Sequence, residues 1–196
     1  NVESRGLGDV YKRQGLEGTN AQNIIDEANK NLYDGVTEED ARTSLVMTSR
    51  TLVEQEPNYT YVTARILLDN IRTEALTYLG MQKQATQKEM KNLYPQALKN
   101  FLAKGVENEI LNPELLEMDI EKLGEAINVT RDTNFTYLGL QTLYDRYFIH
   151  DTEVRYELPQ VFFMRVSMGL ALREEKREER AIAVSYTHLR AHETPR

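Results

Sequence analysis

The chain lacks several residue types on which whole classes of protein depend. Its 196 residues include no cysteine and no tryptophan. The absence of cysteine excludes a disulfide framework and thiolate metal sites within this sequence, and it fits a reducing, cytoplasmic setting. No stretch approaches the apolar length of about 20 residues that a membrane span needs. The formal net charge of −7 disfavours a nonspecific nucleic-acid binder, which requires a basic face. We therefore expect neither nucleic acid nor membrane as a partner.

Histidine is also scarce, with three in the chain. His188 and His192 stand four residues apart and are followed by Glu193. On a helix this spacing places two imidazoles on one face, as in zinc sites. The third, His150, is isolated in sequence, which is typical of an ordinary surface histidine.

The two ends of the chain are related at the level of DNA. Ser4–Gln14 can be encoded by a DNA sequence whose opposite strand encodes Val184–Thr194. Unrelated coding sequences should almost never show this relation, and the string resembles the transposase-end adapter used to prepare sequencing libraries. We therefore expect residues 1–14 and 184–196 to be adapter-derived and non-native, and to be poorly packed. The natural insert is then about Gly15–Ile182, an internal piece of a longer gene.

This expectation removes the most conspicuous site candidates. His188, His192 and Glu193 fall in the terminal adapter segment, so the zinc interpretation is disfavoured. Gly6 and Gly8, which mimic a weak phosphate-loop pattern, fall in the initial one.

The first half of the insert has the pattern of consecutive helices. Thr19–Gln22 reads as a capping box that opens one helix, and Gly35 supplies its stop. Thr37 caps a second helix, which Pro57 ends. A third helix is predicted over about Tyr59–Leu79, closed by Gly80. The expected buried positions of these three helices are Ile24, Ile25, Ala28, Leu32, Leu45, Val46, Ser49, Leu52, Val53, Val62, Ile66, Ile71, Ala75 and Tyr78.

The second half also reads as helical. A break at Gly80–Gln87 is the predicted domain boundary. The helices that follow are predicted over Lys88–Lys104, ended by Gly105, over a short segment opened by Pro113, and over Met118–Ala126. Arg131–Asn134 is predicted to be a polar turn, and Phe135–Phe148 another helix with Phe135, Leu138, Leu140, Leu143, Tyr144 and Tyr147 apolar or aromatic.

The last natural helix is predicted over Gln160–Leu172, opened by Pro159. Its sequence is apolar on nearly every side, so we expect it to be buried. The charge run Arg173–Arg180 alternates in sign, which favours a solvated helical face over a binding patch.

Spacing and composition indicate no catalytic or metal constellation. The acidic pairs Glu38/Glu39 and Glu174/Glu175 are adjacent in sequence and so do not share a helix face. Helix capping explains Glu38 and Glu39 better than acid–base chemistry does. These criteria alone predict a soluble helical segment and no more.

Three stretches resemble a known family. Tyr33–Leu67 (YDGVTEEDARTSLVMTSRTLVEQEPNYTYVTARIL) resembles the second half of an ATP-cone, the helical regulatory domain of ribonucleotide reductases. Asp132–Tyr147 (DTNFTYLGLQTLYDRY) and Glu157–Ile182 (ELPQVFFMRVSMGLALREEKREERAI) resemble successive parts of the large-chain N-terminal helical region. The three occur in the expected order and spacing, which is more specific than any one of them.

The resemblance is to the large, alpha subunit of class I ribonucleoside-diphosphate reductase. It implies a mainly α fold: partial ATP-cone helices, then the all-helical N-terminal region that precedes the ten-stranded α/β barrel. The implied domains are a partial ATP-cone at 15–79, connecting helices at 80–130, and the large-chain helical region at 131–183. The junction between the natural insert and the terminal adapter segment agrees with this resemblance, because the family usually continues with Glu after the position of Ile182. A Glu codon cut after its first base and joined to the adapter gives GCT, the alanine codon of Ala183.

The resemblance also implies the chemistry of the parent enzyme. A cysteine thiyl radical starts the reduction of ribonucleoside diphosphates, and a cysteine pair is regenerated through thioredoxin or glutaredoxin. A metal-radical cofactor lies in a separate small (beta) subunit, and ATP or dATP act on the cone as allosteric effectors, largely by changing subunit assembly. A homo-oligomer of large subunits is also implied.

No catalytic, cofactor-binding or metal residue is assigned within this chain. The catalytic cysteines would lie beyond Ile182, and the nucleotide loop of the cone before Gly15. Three surviving positions correspond to those where typical ATP-cones contact the nucleotide, and they do not match well. Glu38 stands where such cones usually have threonine, Arg42 where they commonly have histidine or aspartate, and Thr73 where some have lysine. The cone is therefore either degenerate or the inner one of two. Two alternatives remain for the chain as a whole: a non-catalytic helical interaction module, or a stand-alone nucleotide-sensing cone.

Overall fold

Helices account for most of the secondary structure, as the sequence predicts. The computed structural model describes residues 16–31 and 35–192, with side chains described up to Thr187. The described residues form two compact units. Unit 1 contains the residues up to Asn70 together with Phe135–Gln141. Unit 2 contains Ile71–Asn134 and the residues from Thr142 onward. The division after Asn70 falls inside a helix, nine residues before the predicted boundary after Leu79. The domain boundaries that the family resemblance implies stay predictions.

Unit 1 begins with two helices whose starts are set by side-chain caps. Helix α1 spans Ala21–Asn31, α2 spans Glu38–Thr51, and a 3₁₀ turn follows at Leu52–Glu54. The Thr37 hydroxyl accepts a hydrogen bond from the Asp40 backbone N–H at 3.1 Å, so the predicted cap is confirmed. The cap of α1 is different from the predicted capping box, because the Asn20 side chain accepts from the Gln22 N–H. Helix α3 spans Tyr59–Tyr78 and contributes residues to both units.

The core of unit 1 contains most of the predicted apolar positions. Ile24, Ile25, Ala28, Leu45, Val46, Val62 and Ile66 are buried. Two hydroxyl residues also lie in this core, where Ser49 and Thr63 share a hydrogen bond of 2.7 Å. Leu52 and Val53 are only partly buried, and both lie in the 3₁₀ turn that follows α2. Leu32 lies outside the described residues.

Unit 2 contains the remaining elements. Helix α4 spans Gln87–Glu107, α5 spans Ile120–Glu125 and α6 spans Tyr137–Arg146, of which Thr142–Arg146 belong to this unit. Two 3₁₀ segments cover Pro113–Glu117 and Val129–Asn134. A hairpin, which the sequence pattern does not predict, pairs β1 (His150–Asp151) with β2 (Val154–Arg155). Helix α7 spans Pro159–Ala171 and α8 spans Arg177–His192.

At two glycines of unit 2, close packing leaves too little room for a Cβ atom. The expectation that Gly105 ends its helix is wrong, because α4 continues to Glu107. A Cβ at Gly105 would lie 2.4 Å from Leu111 Cδ1, so the residue leaves room for the returning chain. A Cβ at Gly124 would lie 2.8 Å from the Cα of Pro95, which brings α5 directly against α4.

Two local predictions in unit 2 need correction. Arg173–Arg180 is not one helical face, since α8 begins only at Arg177. The run is also paired: Arg177 donates to the Glu117 carbonyl, and Glu179 accepts from Lys122 at 3.0 Å. Arg131–Asn134 is a 3₁₀ turn whose Asp132 is buried, so the segment is not simply polar surface.

The segment expected to be adapter-derived is better packed than we predicted. Helix α8 runs without interruption through Val184 to His192. Ser185 is buried, and the Tyr186 ring lies 4.4 Å from the Arg131 guanidinium. Helical propensity can extend α8 across the predicted junction whatever the origin of the codons. The predictions for residues 1–14 and for the side chains at the end of the chain lie outside the described residues.

Candidate functional site

A buried carboxylate, that of Asp132, is the centre of a polar network in unit 2. Its side chain accepts hydrogen bonds from Arg72 Nη2 at 2.8 Å, Tyr94 Oη at 2.7 Å and Gln160 Nε2 at 2.8 Å. The donors come from α3, α4 and α7. A carboxylate with three donors is well satisfied in a dry interior, where an unpaired charge would be costly. Asp132 therefore ties three helices to one 3₁₀ turn.

The network extends through the guanidinium of Arg72. This side chain is almost fully buried, and its Nη2 also donates to the Gln87 amide oxygen. Gln87 in turn donates to the Val129 carbonyl at 2.6 Å, in the same 3₁₀ segment as Asp132. Gln87, the first residue of α4, therefore connects Arg72 of α3 to the 3₁₀ segment that contains Asp132.

Tyr94 shows the electrostatic character of this interior. Burial, and then the negative charge of Asp132, hold the pKa of Tyr94 well above its usual value. The hydroxyl therefore stays protonated and acts as a donor to Asp132. This is the protonation state that a structural hydrogen bond needs.

A second buried carboxylate, Glu157, fixes the entry into α7. It accepts from Arg165 Nε at 2.6 Å and Nη2 at 3.2 Å, and from the Ile149 backbone N–H at 2.9 Å. Burial raises the pKa of Glu157, although its hydrogen bond to Arg165 opposes the rise. The pair is a bidentate clamp between the loop before α7 and the middle of that helix.

A third cluster joins the hairpin to α3. Glu74 accepts from the Tyr144 hydroxyl at 2.8 Å and from the Arg155 backbone N–H at 2.6 Å. The Arg155 guanidinium lies 4.4 Å from the centre of the Tyr144 ring and donates to the Tyr144 carbonyl. Burial, with the Glu74 hydrogen bond next, raises the pKa of Tyr144 to about 12.

These clusters have the geometry of structural supports. All six carboxylate oxygens of Asp132, Glu157 and Glu74 already accept hydrogen bonds from protein donors. The cavity beside Gln160, lined also by Asn128, Arg131 and Met164, encloses about 10 Å³. That volume holds about one water molecule and excludes a nucleotide. The arrangement can therefore orient helices, and it offers no room for a substrate.

The residues compared with a nucleotide-binding cone are engaged in other contacts. In unit 1, Arg42 lies between two acids, at 3.1 Å from Glu38 and 3.1 Å from Asp69. Glu38 also occupies the first turn of α2, as the capping interpretation predicts. Thr73 lies in unit 2, where its carbonyl accepts from the Thr77 hydroxyl.

The remaining candidates are not assembled into a site within the described residues. Glu174 and Glu175 are exposed in the turn before α8, and His150 is exposed on β1, as expected for a surface histidine. Within the described residues, no group of three or more histidine or acidic side chains could hold a metal ion. His188 and His192 lie on α8, but their side chains, like Glu193, Gly6 and Gly8, lie outside the described part. No helix in the described part of the chain is both long and apolar enough to cross a membrane.

The structural importance of Asp132, Glu157, Gln160 and Arg165 was missed from the sequence. All four belong to the stretches that carry the family resemblance, yet no role was assigned to them. One signal was available: Arg165 is the only charged residue in the apolar run of α7, and Glu157 precedes that run by a short distance. A charge in such a context needs a buried partner.

Comparisons with known proteins agree with the resemblance. Residues 133–193 match the family model described as ribonucleotide reductase, all-alpha domain. This match extends past the predicted adapter junction at Val184. The alpha subunit of ribonucleoside-diphosphate reductase from Chlamydia muridarum is 38% identical over 167 residues, which cover 85% of this chain and 15% of the relative.

Other relatives carry the same description. The alpha subunit from Chlamydia trachomatis is 39% identical over 85% of this chain and 15% of its own length. The subunit from Helicobacter pylori is 29% identical over 82% of this chain and 19% of its own length. The chain thus spans about one-seventh of the length of the relatives first named. It belongs to the ribonucleoside-diphosphate reductase alpha-subunit family and corresponds to an N-terminal segment of it.

Proposed function

We propose that the parent protein of this chain reduces ribonucleoside diphosphates to 2′-deoxyribonucleoside diphosphates for DNA synthesis. The identity of 38% over 85% of the chain carries this proposal. The chemistry would be that of a cysteine thiyl radical, with a cysteine pair as the reductant. The chain contains no cysteine, so it is inactive alone and serves as a helical support for the catalytic part.

The structural support for this role comes from four residues in the stretches that carry the resemblance. Asp132, Glu157, Gln160 and Arg165 are all engaged in buried or partly buried hydrogen bonds inside unit 2. Residues that hold helices in fixed positions suit a segment that precedes a catalytic domain.

The parent open reading frame provides the first test. Read past Ile182, it should encode a loop rich in Ser, Pro and Thr and then a cysteine within a few dozen residues. The same reading tests the adapter proposal, which expects Glu in place of Ala183 and no match to residues 184–196. A frame without the loop and the cysteine would contradict the reductase proposal, and a frame that encodes Val184–Arg196 would contradict the adapter proposal alone.

The proposed partners follow from the parent activity. They are a small (beta) subunit with a metal-radical cofactor, thioredoxin or glutaredoxin, and a second copy of the large subunit, all in the cytoplasm. Co-purification of the full-length parent with its small subunit tests the first of these. Deoxynucleotide formation that continues without any small subunit would contradict it.

We also propose that residues 15–79 are part of an ATP-cone that binds ATP or dATP poorly in this chain. Arg42 supports this, because two acids already surround it and Glu38 would repel a triphosphate. Titration calorimetry with ATP and with dATP should show no saturable heat at micromolar concentrations. A micromolar dissociation constant would overturn the proposal.

A further inference from the structure

Helix α7 is more apolar than its burial in this chain requires. Its sequence PQVFFMRVSMGLA is apolar on nearly all sides, and Arg165 is paired with Glu157. A helix of this kind is expected to be covered all round. One side meets this expectation, since Val161, Phe163, Met164, Ser167, Met168 and Ala171 are buried. The other side is open.

The open side carries a continuous apolar row. Phe162, Val166 and Leu170 are spaced four residues apart and so lie along one face of α7. Phe162 and Val166 are partly exposed, and Leu170 is 64% exposed. Tyr147, 56% exposed, extends the row, because its ring centre lies 6.2 Å from that of Phe162. Tyr147, Phe162, Val166 and Leu170 are called the α7 row below.

Gly169, beside this row, gives an independent sign of a missing neighbour. It lies in the last turn of α7 and has no positive φ that would require glycine, so alanine would be the more favourable helix residue there. A Cβ at this position would meet nothing within 4 Å. By contrast, the buried Gly124 is required by Pro95. Nothing in the described part of the chain explains Gly169, whereas close approach of another backbone would.

We propose that the α7 row is the face on which a part of the parent polypeptide outside this chain packs, with its closest approach at Gly169. The chain spans 15% of the length of its Chlamydia relatives, so most of such a polypeptide is available to cover the row. The covering segment is apolar, since all four members of the row are apolar or aromatic. The inference rests on the proposed function, because it needs a full-length large subunit.

Thiol labelling tests the contact. The chain has no cysteine, so Leu170→Cys introduces its sole thiol. The matched control is Lys99→Cys, at an exposed position on α4. Both introduced thiols should react rapidly with a maleimide in the 196-residue chain. In the full-length parent, peptide-resolved mass spectrometry should show labelling of the Leu170→Cys variant slowed at least about tenfold and labelling of Lys99→Cys little changed.

Gly169→Ala provides a second test, because it should stabilise the 196-residue chain but loosen α7 in the parent. In the 196-residue chain it should raise Tm by about 2–4 °C through helix propensity. In the parent it should instead increase hydrogen exchange in α7, because the added methyl group separates the packed backbones. The control Asn92→Ala, on the exposed side of α4, should raise Tm in the chain and leave α7 exchange in the parent unchanged.

Two results would overturn the docking proposal. One is equally fast labelling of the Leu170→Cys thiol in the chain and in the parent. The other is protection that appears only as protein concentration rises, since it would identify a second copy as the occupant. Deoxynucleotide formation by the same parent is measured separately. An active parent in which the Leu170→Cys thiol is unprotected contradicts the docking face alone, while an inactive parent in which that thiol is protected contradicts the proposed function.

Discussion

Removing the negative charge of Asp132 should destabilise unit 2 strongly. Asp132→Asn keeps the shape of the side chain and leaves the Arg72 guanidinium, almost fully buried, without a charged partner. It also places an amide where donors from Arg72, Tyr94 and Gln160 converge. Breaking a buried ion pair in this way costs about 3–5 kcal/mol. For a chain of this size, that loss corresponds to a fall in Tm of about 6–20 °C.

The measurement is urea unfolding followed by circular dichroism, with thermal unfolding alongside it. Glu179→Gln is the matched control, because it removes one charge from the exposed Lys122–Glu179 pair. That substitution should leave the free energy of unfolding nearly unchanged. The comparison separates the effect of burial from that of a lost charge.

A second substitution tests the physical cause. Adding Arg72→Met to Asp132→Asn removes the uncompensated cation, so the double variant should be more stable than Asp132→Asn alone. If Asp132→Asn costs no more stability than the Glu179→Gln control, or if Arg72→Met adds a further loss of stability, the description of Asp132 as the centre of the buried polar network is wrong.

Three further predictions concern the other supports of unit 2. Burial raises the pKa of Glu157 above its ordinary value of 4.5, so the stability that it contributes is present below that value and lost as pH rises through the raised pKa. Glu157→Gln should therefore destabilise more near pH 4 than near pH 7 in urea titrations, and the reverse order would contradict this. The pKa of Tyr144 is raised to about 12, so its contribution is lost as pH rises from its ordinary value of 10.0 toward 12. Tyr144→Phe should flatten the decline of Tm in that range, and an equally steep decline would count against the burial and the Glu74 hydrogen bond that raise this pKa. Gly124→Ala should lower stability by about 1–3 kcal/mol through overlap with the Pro95 backbone, and a gain would show that α5 can move away.

Local signals predicted the helices well. The Thr37 cap, Pro113, Pro159 and the positive-φ Gly80 each act within a few residues, so the sequence alone indicates where those helices begin or end. The apolar spacing likewise identified Ile24, Ile25 and Leu45 as core. These features depend on neighbouring residues and on helix geometry, both of which can be read directly.

Long-range pairings could not be predicted in the same way. Asp132 reads as part of a polar turn until Arg72, sixty positions earlier, is placed beside it. Gly105 is predicted to end its helix from local sequence alone, because the packing of Leu111 against it is visible only in the structure. The hairpin at His150–Arg155 is too short to give an alternating pattern, and its support by Glu74 is again distant in sequence.

The open side of α7 shows a different limit. The sequence predicted a buried helix, and one face of it is exposed in this chain. The pattern of apolar residues reflects the protein in which the helix evolved, whereas burial reflects only the residues present. The disagreement at Leu170 is therefore informative about the parent protein.

A reductase assay on the full-length parent tests the central claim most directly. The parent, expressed from its complete reading frame and combined with its small subunit and a dithiol reductant, should convert ribonucleoside diphosphates to 2′-deoxyribonucleoside diphosphates, whereas the 196-residue chain should form none. A folded parent that forms no deoxynucleotide with an active small subunit would contradict the assignment of this chain to a working reductase.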